Sequence, residues 1–133
     1  MHSLLHIDIP RDARAPSRAR RAVEAFADDL PTDAASDVKL MVSELITNSV
    51  KYGGTGGISL ALRSAERGHL HAEVADEGGR FVPRERDRPA TEVGGWGLYL
   101  VQTLSDRWGV VEDGARVWFE IDAAGDRRDA VAA

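Results

Sequence analysis

Apolar and polar residues alternate along this chain with two different periods, which predict where strands and helices lie. A period of two over residues 2–9 predicts a strand, and because Pro10 follows directly we expect this strand at the edge of a sheet. Two later segments share that period on either side of a polar turn, and two more flank an Asp-Gly turn, so these four segments predict two antiparallel hairpins. These segments are residues 58–63 with 70–76, and residues 109–112 with 115–121.

Apolar residues spaced by three and four positions predict three helices. The helices cover residues 16–29, 32–52 and 96–107. Thr32 or Asp33 is expected to cap the second helix, because either side chain can accept a bond from its first free N–H groups. The spacing of the third helix continues to Trp108. One mixed, mostly antiparallel sheet with these helices on one face would bury every apolar stripe, which predicts an α+β two-layer sandwich.

The second helix carries a polar pair next to its apolar face. The inward-facing stripe consists of Val38, Met41, Val42, Leu45 and Ser49. Glu44 and Asn48 lie one turn apart beside that stripe, at the edge of the core where a cleft can form. Their oxygen atoms suit Mg²⁺, which binds few protein ligands and completes its shell with phosphate oxygens and water. A solvated helix flank is the alternative interpretation of this pair.

Two glycine-containing segments indicate where a nucleotide would lie. Asp76 ends a predicted strand before residues 77–79 (Glu-Gly-Gly), so its carboxylate can accept a bond from an exocyclic amine while a flat ring approaches the glycine. Residues 94–97 (Gly-Gly-Trp-Gly) precede the third helix, whose free N–H groups and partial positive charge suit phosphate. Residues 77–94 have no regular period, which predicts a lid over a ligand. Each segment alone is also typical of an ordinary turn.

Composition restricts the partners and the compartment. The 133 residues, 43% of them hydrophobic, support one core, and we predict a single domain over residues 1–122 with a disordered tail at 123–133. A net charge of −5 gives no broad attraction to nucleic acid or anionic lipid. The absence of cysteine excludes disulfides and thiolate metal sites. Without an apolar run of roughly 18 to 20 residues or a secretion signal, a soluble cytoplasmic protein is expected.

Three motifs follow one another along the chain: Glu-x-x-x-Asn on a helix, Asp-x-Gly after a strand, and Gly-x-Gly before a helix. In this order they resemble the ATP-binding domain shared by gyrases, heat-shock chaperones, histidine kinases and mismatch-repair ATPases, which implies a Bergerat-type fold. The short form with this helix is most similar to the anti-sigma-factor serine kinases of bacteria. The resemblance covers residues 4–122. It implies a kinase that uses ATP and Mg²⁺, binds a sigma factor, phosphorylates a serine on an antagonist protein and forms a homodimer.

The resemblance also implies a role for individual residues. Glu44 would orient or deprotonate the hydroxyl that accepts the phosphate, and Asn48 would hold Mg²⁺. Asp76 would bind the adenine amino group, with Gly78 under the ring. The remaining ATP contacts would come from the turn before the third helix, at Gly95, Gly97 and Leu98. The chain departs from the usual Asp-x-Gly-x-Gly pattern at Arg80, which stands where the second glycine belongs.

Three functions remain open on this evidence. The first is the ATP-dependent serine/threonine protein kinase of the anti-sigma type. The second is a non-catalytic ATP-binding module that acts through protein–protein contacts, for which Asn48 would matter and Glu44 would not. The third is an α/β interaction domain with degenerate motifs, and Arg80 is the main argument for it.

Other charged residues suggest further sites. The basic cluster around the first helix is interpreted as a solvated face rather than a docking patch. Its members are Arg11, Arg14, Arg18, Arg20 and Arg21. His69 and His71 alternate on one predicted strand and could bind a metal, although an exposed pair is the simpler interpretation. A histidine autokinase is disfavoured, because no histidine lies on a dimerisation helix.

Overall fold

Strands and helices occur in the predicted order. The computed structural model describes residues 3–27, 30–65, 68–78, 97–111 and 114–122. Within these residues lie five strands and three helices. In chain order they are β1 (Ser3–Ile9), α1 (Ala15–Phe26), α2 (Thr32–Tyr52), β2 (Ile58–Ala65), β3 (His69–Asp76), α3 (Gly97–Leu104), β4 (Arg107–Val111) and β5 (Arg116–Asp122).

The described strands form one sheet in the order β1-β2-β3-β5-β4. All four pairings between these strands are antiparallel. β1 lies at one edge, as Pro10 predicts, and both predicted hairpins are present as β2–β3 and β4–β5. β3 lies in the middle, and its last residue, Asp76, is opposite Ile58 of β2. The end of β3 is therefore enclosed by neighbouring backbone.

The alternation along each strand separates two faces of the sheet. On β3 the side chains of Leu70, Ala72 and Val74 are fully buried, whereas those of His71 and Glu73 lie on the other face and are half-buried. The helices cover the buried face: α1 packs on α2, α2 contacts β3, and α3 contacts α2 and β4. The predicted α+β two-layer sandwich is confirmed.

α2 buries the stripe that its spacing predicts. Four of the five stripe residues are fully buried and Ser49 is 1% exposed. The Ser49 hydroxyl has no hydrogen-bond partner in the described structure. Glu44 and Asn48 are half-buried next to this stripe. The polar pair therefore lies at the edge of the core and not on an exposed flank.

The predicted cap of α2 is wrong. Pro31 occupies the N-cap position and offers no side-chain hydrogen bond, so Thr32 and Asp33 lie in the first turn of the helix. Proline has no side-chain acceptor. The negative charge of Asp33 in the first turn stabilises this end of the helix through the helix dipole instead. α1 ends at Phe26, three residues earlier than predicted.

The predicted end of the third helix is also wrong. α3 ends at Leu104, and Trp108 belongs to β4, where it is opposite Phe119 of β5. An aromatic residue followed by Val110 and Val111 favours a strand, and pairing with β5 outweighs the helical spacing.

Several predictions concern residues outside those described. Residues 79–96 and 123–133 belong to this group, so the tail and the lid beyond Gly78 stay predictions, as does the single-domain boundary. Among the residues with described structure, none of the helices is long and apolar enough to cross a membrane.

Candidate functional site

The centre of the candidate site is the carboxylate of Asp76 at the end of β3. The residue is 1% exposed. Its N–H donates to the carbonyl oxygen of Ala115 over 2.8 Å, which fixes the backbone. Its Oδ1 accepts two hydrogen bonds, from Nη2 of Arg11 at 2.5 Å and from the N–H of Gly54 at 3.2 Å. Oδ2 accepts none from the part of the chain that the structure describes.

Gly53 makes room for this carboxylate. α2 ends here, and the Gly53 N–H donates to the Ser49 carbonyl oxygen over 3.0 Å. A Cβ atom at Gly53 would overlap Oδ2 of Asp76 and approach the Ser49 oxygen to 2.5 Å. The carboxylate therefore lies directly against the backbone at the end of α2, and only glycine fits between them.

The glycine turn after α2, residues 53–57, is joined to the turn after β3. The Gly56 N–H donates to the Glu77 carbonyl oxygen at 3.2 Å, and the Glu77 N–H donates to the Gly57 oxygen at 2.8 Å. Gly78 adopts a φ of 82°, the left-handed region that favours glycine. The Asp-x-Gly segment therefore forms a turn, and backbone hydrogen bonds to the glycines that precede β2 hold its conformation.

Arg11 is the site residue that sequence reasoning missed. Its Nε and Nη2 donate to the Gly56 carbonyl oxygen at 3.1 and 2.9 Å, and its Nη1 donates to the Ser49 oxygen. The Arg11 side chain is 17% exposed and that of Asp76 is 2% exposed, so this ion pair is largely desolvated. The interpretation of Arg11 as part of a solvated face is therefore wrong.

The other arginines of that cluster behave differently. Arg14, Arg20 and Arg21 are exposed, and Arg18 forms an ion pair with Asp12 in which both side chains are at least 40% exposed. Asp12 accepts a hydrogen bond from the Arg18 side chain and another from the Arg14 backbone, and these bonds lower the pKa of Asp12. The position of Arg11 at the site follows from the register in which β1 pairs with β2.

Ile9 of β1 is opposite Ile58 of β2. A residue two positions after Ile9 must therefore lie beside the glycine turn that precedes Ile58. The sequence contains this information only once the pairing of β1 with β2 is known.

Glu44 and Asn48 lie on α2, the helix whose C-terminal end contacts the Asp76 carboxylate. With a rise of 1.5 Å per residue, Asn48 is about 7.5 Å and Glu44 about 13.5 Å along the helix axis from Gly53. Glu44 forms no hydrogen bond or ion pair with any other described residue. The Thr47 hydroxyl donates to the Ser43 oxygen at 2.7 Å, so it is satisfied within the helix. The contact with Asp76 and the polar pair therefore both belong to α2.

The third predicted segment is described only from Gly97, the first residue of α3. Leu98 is 7% exposed and packs into the core together with Val101. The first N–H groups of any helix lack partners within the helix, so this end can donate to an anion. Gly95 and Arg80 lie outside the described residues.

The histidines belong to a cluster on the outer face of the sheet, away from Asp76. His71 bonds Glu120 through Nδ1 at 2.8 Å and Glu73 through Nε2 at 2.9 Å. Its ring stacks on Trp118 with centroids 5.7 Å apart. Within the described residues no three His, Cys, Asp or Glu side chains are arranged to hold a metal ion. His69 and His71 therefore form ion pairs with neighbouring glutamates, and the expectation of an exposed pair is wrong for His71, whose side chain is 14% exposed.

Hydrogen bonds set the charge state of this cluster. Burial alone would raise the pKa of Glu73, but bonds from His71 and Arg116 outweigh it and lower that pKa. A bond from Arg107 lowers the pKa of Glu120, with His71 adding to the effect. The same bond raises the pKa of Arg107. These shifts reflect an ion-pair network on the outer face of the sheet, formed by side chains of β3, β4 and β5.

Comparison with known proteins identifies related sequences. Residues 9–121 match the family described as the histidine kinase-like ATPase domain. The chain is 29% identical over 123 residues to a serine-protein kinase RsbW from Listeria innocua, covering 80% of this chain and 78% of that one. It is 34% identical over 101 residues to an anti-sigma F factor from Clostridium acetobutylicum, covering 68% of this chain and 71% of the relative.

Solved structures show the same fold. A crystal structure of the RsbU and RsbW domains of Rv1364c from Mycobacterium tuberculosis matches 90% of this chain with a TM-score of 0.67 and 19% identity. The matched region is 31% of the length of the Mycobacterium tuberculosis chain. A blue-light activated histidine kinase from Erythrobacter litoralis matches 84% with a TM-score of 0.56 and 22% identity. At these identities the similarity supports the fold alone.

Proposed function

This chain belongs to the histidine kinase-like ATPase domain family, and on that premise we propose that it is an ATP-dependent serine/threonine protein kinase of the anti-sigma type. The observation that carries the proposal is the buried carboxylate of Asp76, whose Oδ2 lies against Gly53 and accepts no hydrogen bond from another described residue. A carboxylate in such a place accepts a hydrogen bond from an exocyclic amine. The adenine ring would lie at this end of α2, with Gly78 beneath it.

The polar pair on α2 supports a triphosphate running from Asp76 along the helix. Asn48 would hold Mg²⁺, which would neutralise charge on the phosphates when bound. A single amide oxygen, with no cluster of three acidic or histidine side chains around it among the described residues, suits a cation that takes most of its ligands from phosphate and water. The N–H groups at the start of α3, with Gly95, Gly97 and Leu98, would face the phosphate end.

Glu44 is the group we assign to catalysis. It is half-buried and forms no hydrogen bond with another described residue, so its carboxylate is available to a hydroxyl of a substrate. It would orient or deprotonate that hydroxyl, because phosphoryl transfer requires mainly positioning and neutralised charge from the protein. The proton of the acceptor hydroxyl would pass to Glu44 as the phosphoryl group is transferred.

The names of the relatives support the choice of acceptor and partner. One is named a serine-protein kinase and another an anti-sigma F factor. We propose by analogy a serine on an antagonist protein as the acceptor, a sigma factor as the binding partner, a homodimer as the assembly and the cytoplasm as the location.

The test is phosphate transfer from labelled ATP with Mg²⁺ to candidate antagonist proteins. Glu44→Ala should reduce transfer by about 100-fold or more at nearly unchanged ATP affinity, because it removes only the group that acts on the hydroxyl. Asn48→Ala should weaken ATP binding itself. Glu24→Ala, an exposed glutamate on α1, is the matched control and should retain full transfer.

Other results would select a different function. ATP binding without transfer to any antagonist, unchanged in Glu44→Ala, would indicate a non-catalytic ATP-binding module. Absence of ATP binding at micromolar concentration would contradict both, and would leave an interaction domain with degenerate motifs.

A further inference from the structure

We propose that Arg11 is a positioning residue that makes the site selective for adenine over guanine. The inference rests on the proposed ATP-binding function and deepens it. Arg11 would act through Asp76, by deciding which oxygen of that carboxylate a base can reach.

The first step concerns Oδ1 of Asp76. A carboxylate oxygen offers two lone pairs. Both are used here, since Oδ1 accepts from Nη2 of Arg11 and from the N–H of Gly54. Oδ2, which lies against Gly53, accepts no bond from another described residue. A ligand therefore meets a carboxylate with one available oxygen instead of two.

The second step concerns the bases. Adenine presents one exocyclic amine on its Watson–Crick edge, and a single acceptor oxygen satisfies it. Guanine presents two adjacent donors, N1–H and the 2-amino group, which pair best with both oxygens of a carboxylate side by side. Its 6-oxo group is an acceptor and would meet the negative oxygen unfavourably. A site with one available oxygen therefore favours adenine. Guanine would be rejected strongly, because a buried site would leave polar groups on its Watson–Crick edge unpaired.

The third step concerns Arg11 itself. Each of its three guanidinium nitrogens donates to a protein acceptor: Nε to Gly56, Nη1 to Ser49, and Nη2 to Gly56 and Asp76. The group is thereby held in one orientation at the carbonyl end of α2, where a cation is favoured. Four of its five N–H groups donate to the protein in this way, so it is a fixed support for Asp76.

The experiment compares affinities for non-hydrolysable ATP and GTP analogues, each with Mg²⁺, by calorimetry. The wild-type chain should prefer the ATP analogue by at least 100-fold. Arg11→Gln should reduce this ratio at least tenfold, because Oδ1 becomes available to a second donor. Arg18→Gln removes a guanidinium from the exposed ion pair with Asp12 and is the matched control, expected to leave the ratio unchanged.

Arg11→Gln leaves a buried carboxylate with fewer partners and can unfold the chain. Arg11→Lys keeps the charge but cannot donate to three acceptors in one plane, and it should fold and reduce the ratio at least threefold. A general structural role would lower both affinities together and leave their ratio unchanged. The ratio is therefore the readout that separates positioning from stability.

Each remaining outcome overturns the inference. If the wild-type chain binds the ATP analogue but the ratio is unchanged in the folded Arg11 variants, the inference fails and the proposed function stands. If either variant binds the ATP analogue more tightly than the wild type, Arg11 occupies the place of the base and the inference is again wrong. If the wild-type chain binds neither analogue, the proposed function fails and the inference fails with it.

Discussion

At the scale of single residues, the site depends on a contact between a glycine and a carboxylate. Gly53 has a φ of −85°, which any residue can adopt, so its identity is fixed by space and not by backbone conformation. The space is taken by Asp76. Asp76 was predicted from its position after a strand and before glycine, because that local pattern is visible in the sequence. Arg11 was not, because its three acceptors lie between 38 and 65 residues away along the chain.

Gly53→Ala should therefore displace Asp76 and lower the free energy of unfolding by about 2 kcal/mol or more, as expected when a buried contact is overpacked. Gly57→Ala is the matched control, since a Cβ there would meet only Glu77 Oε2 at an ordinary 3.7 Å. The control should change stability by less than about 1 kcal/mol. Urea denaturation measures both, and equal stabilities for the two variants would contradict the steric argument.

At the scale of elements, α2 and the hairpins could be predicted because each buries one regular stripe. The boundary between α3 and β4 could not, since Trp108 satisfies a helical spacing and a strand equally well until β5 is present to pair with it. The face of β3 and β5 that points away from the helices carries a second feature invisible in the sequence. There, residues from β3, β4 and β5 form the ion-pair network around His71.

This network predicts how stability depends on pH. The folded pKa values of Glu73 and Glu120 are lowered from 4.5, so the unfolded chain binds more protons than the folded one as the pH falls below that value. Their contribution is complete above pH 4.5 and is lost as the pH falls through the lowered values. Glu120→Gln should therefore be less stable than wild type at pH 7, and the difference should shrink in strong acid.

Chemical denaturation at a series of pH values measures this difference. Glu24→Gln, on the exposed surface of α1, is the control and should give a curve parallel to that of the wild type. A Glu120→Gln difference that stays constant between pH 7 and strong acid would show that the network contributes nothing through charge.

At the scale of the whole molecule, the sheet order brings the end of β3 to the end of α2. The fold class could be predicted from the order of elements, because one two-layer arrangement buries all of their stripes. The placement of β5 next to β3, which holds the Asp76 backbone through Ala115, depends on tertiary pairing that no local pattern specifies. Binding of a nucleotide across α2, β3 and α3 should therefore stabilise the molecule as one unit.

An ATP analogue with Mg²⁺ at 100 times its dissociation constant should raise the free energy of unfolding by about 2.7 kcal/mol, visible as a higher melting temperature. Asn48→Ala should lose most of this increase at the same ligand concentration. Gln102→Ala, which removes an exposed amide from α3, is the control and should keep the full increase in the free energy of unfolding. A full increase in Asn48→Ala would contradict the role of Asn48 in holding Mg²⁺.

The guanidinium of Arg11 donates to the carboxylate of Asp76, 65 residues downstream, and the backbone N–H of Asp76 donates in turn to the carbonyl oxygen of Ala115. The base contact we propose therefore cannot exist during early synthesis, when the segment after β4 is still inside the ribosome. A nascent chain stalled at residue 111 should capture no nucleotide, because β5 and the backbone acceptor of Ala115 are absent from it.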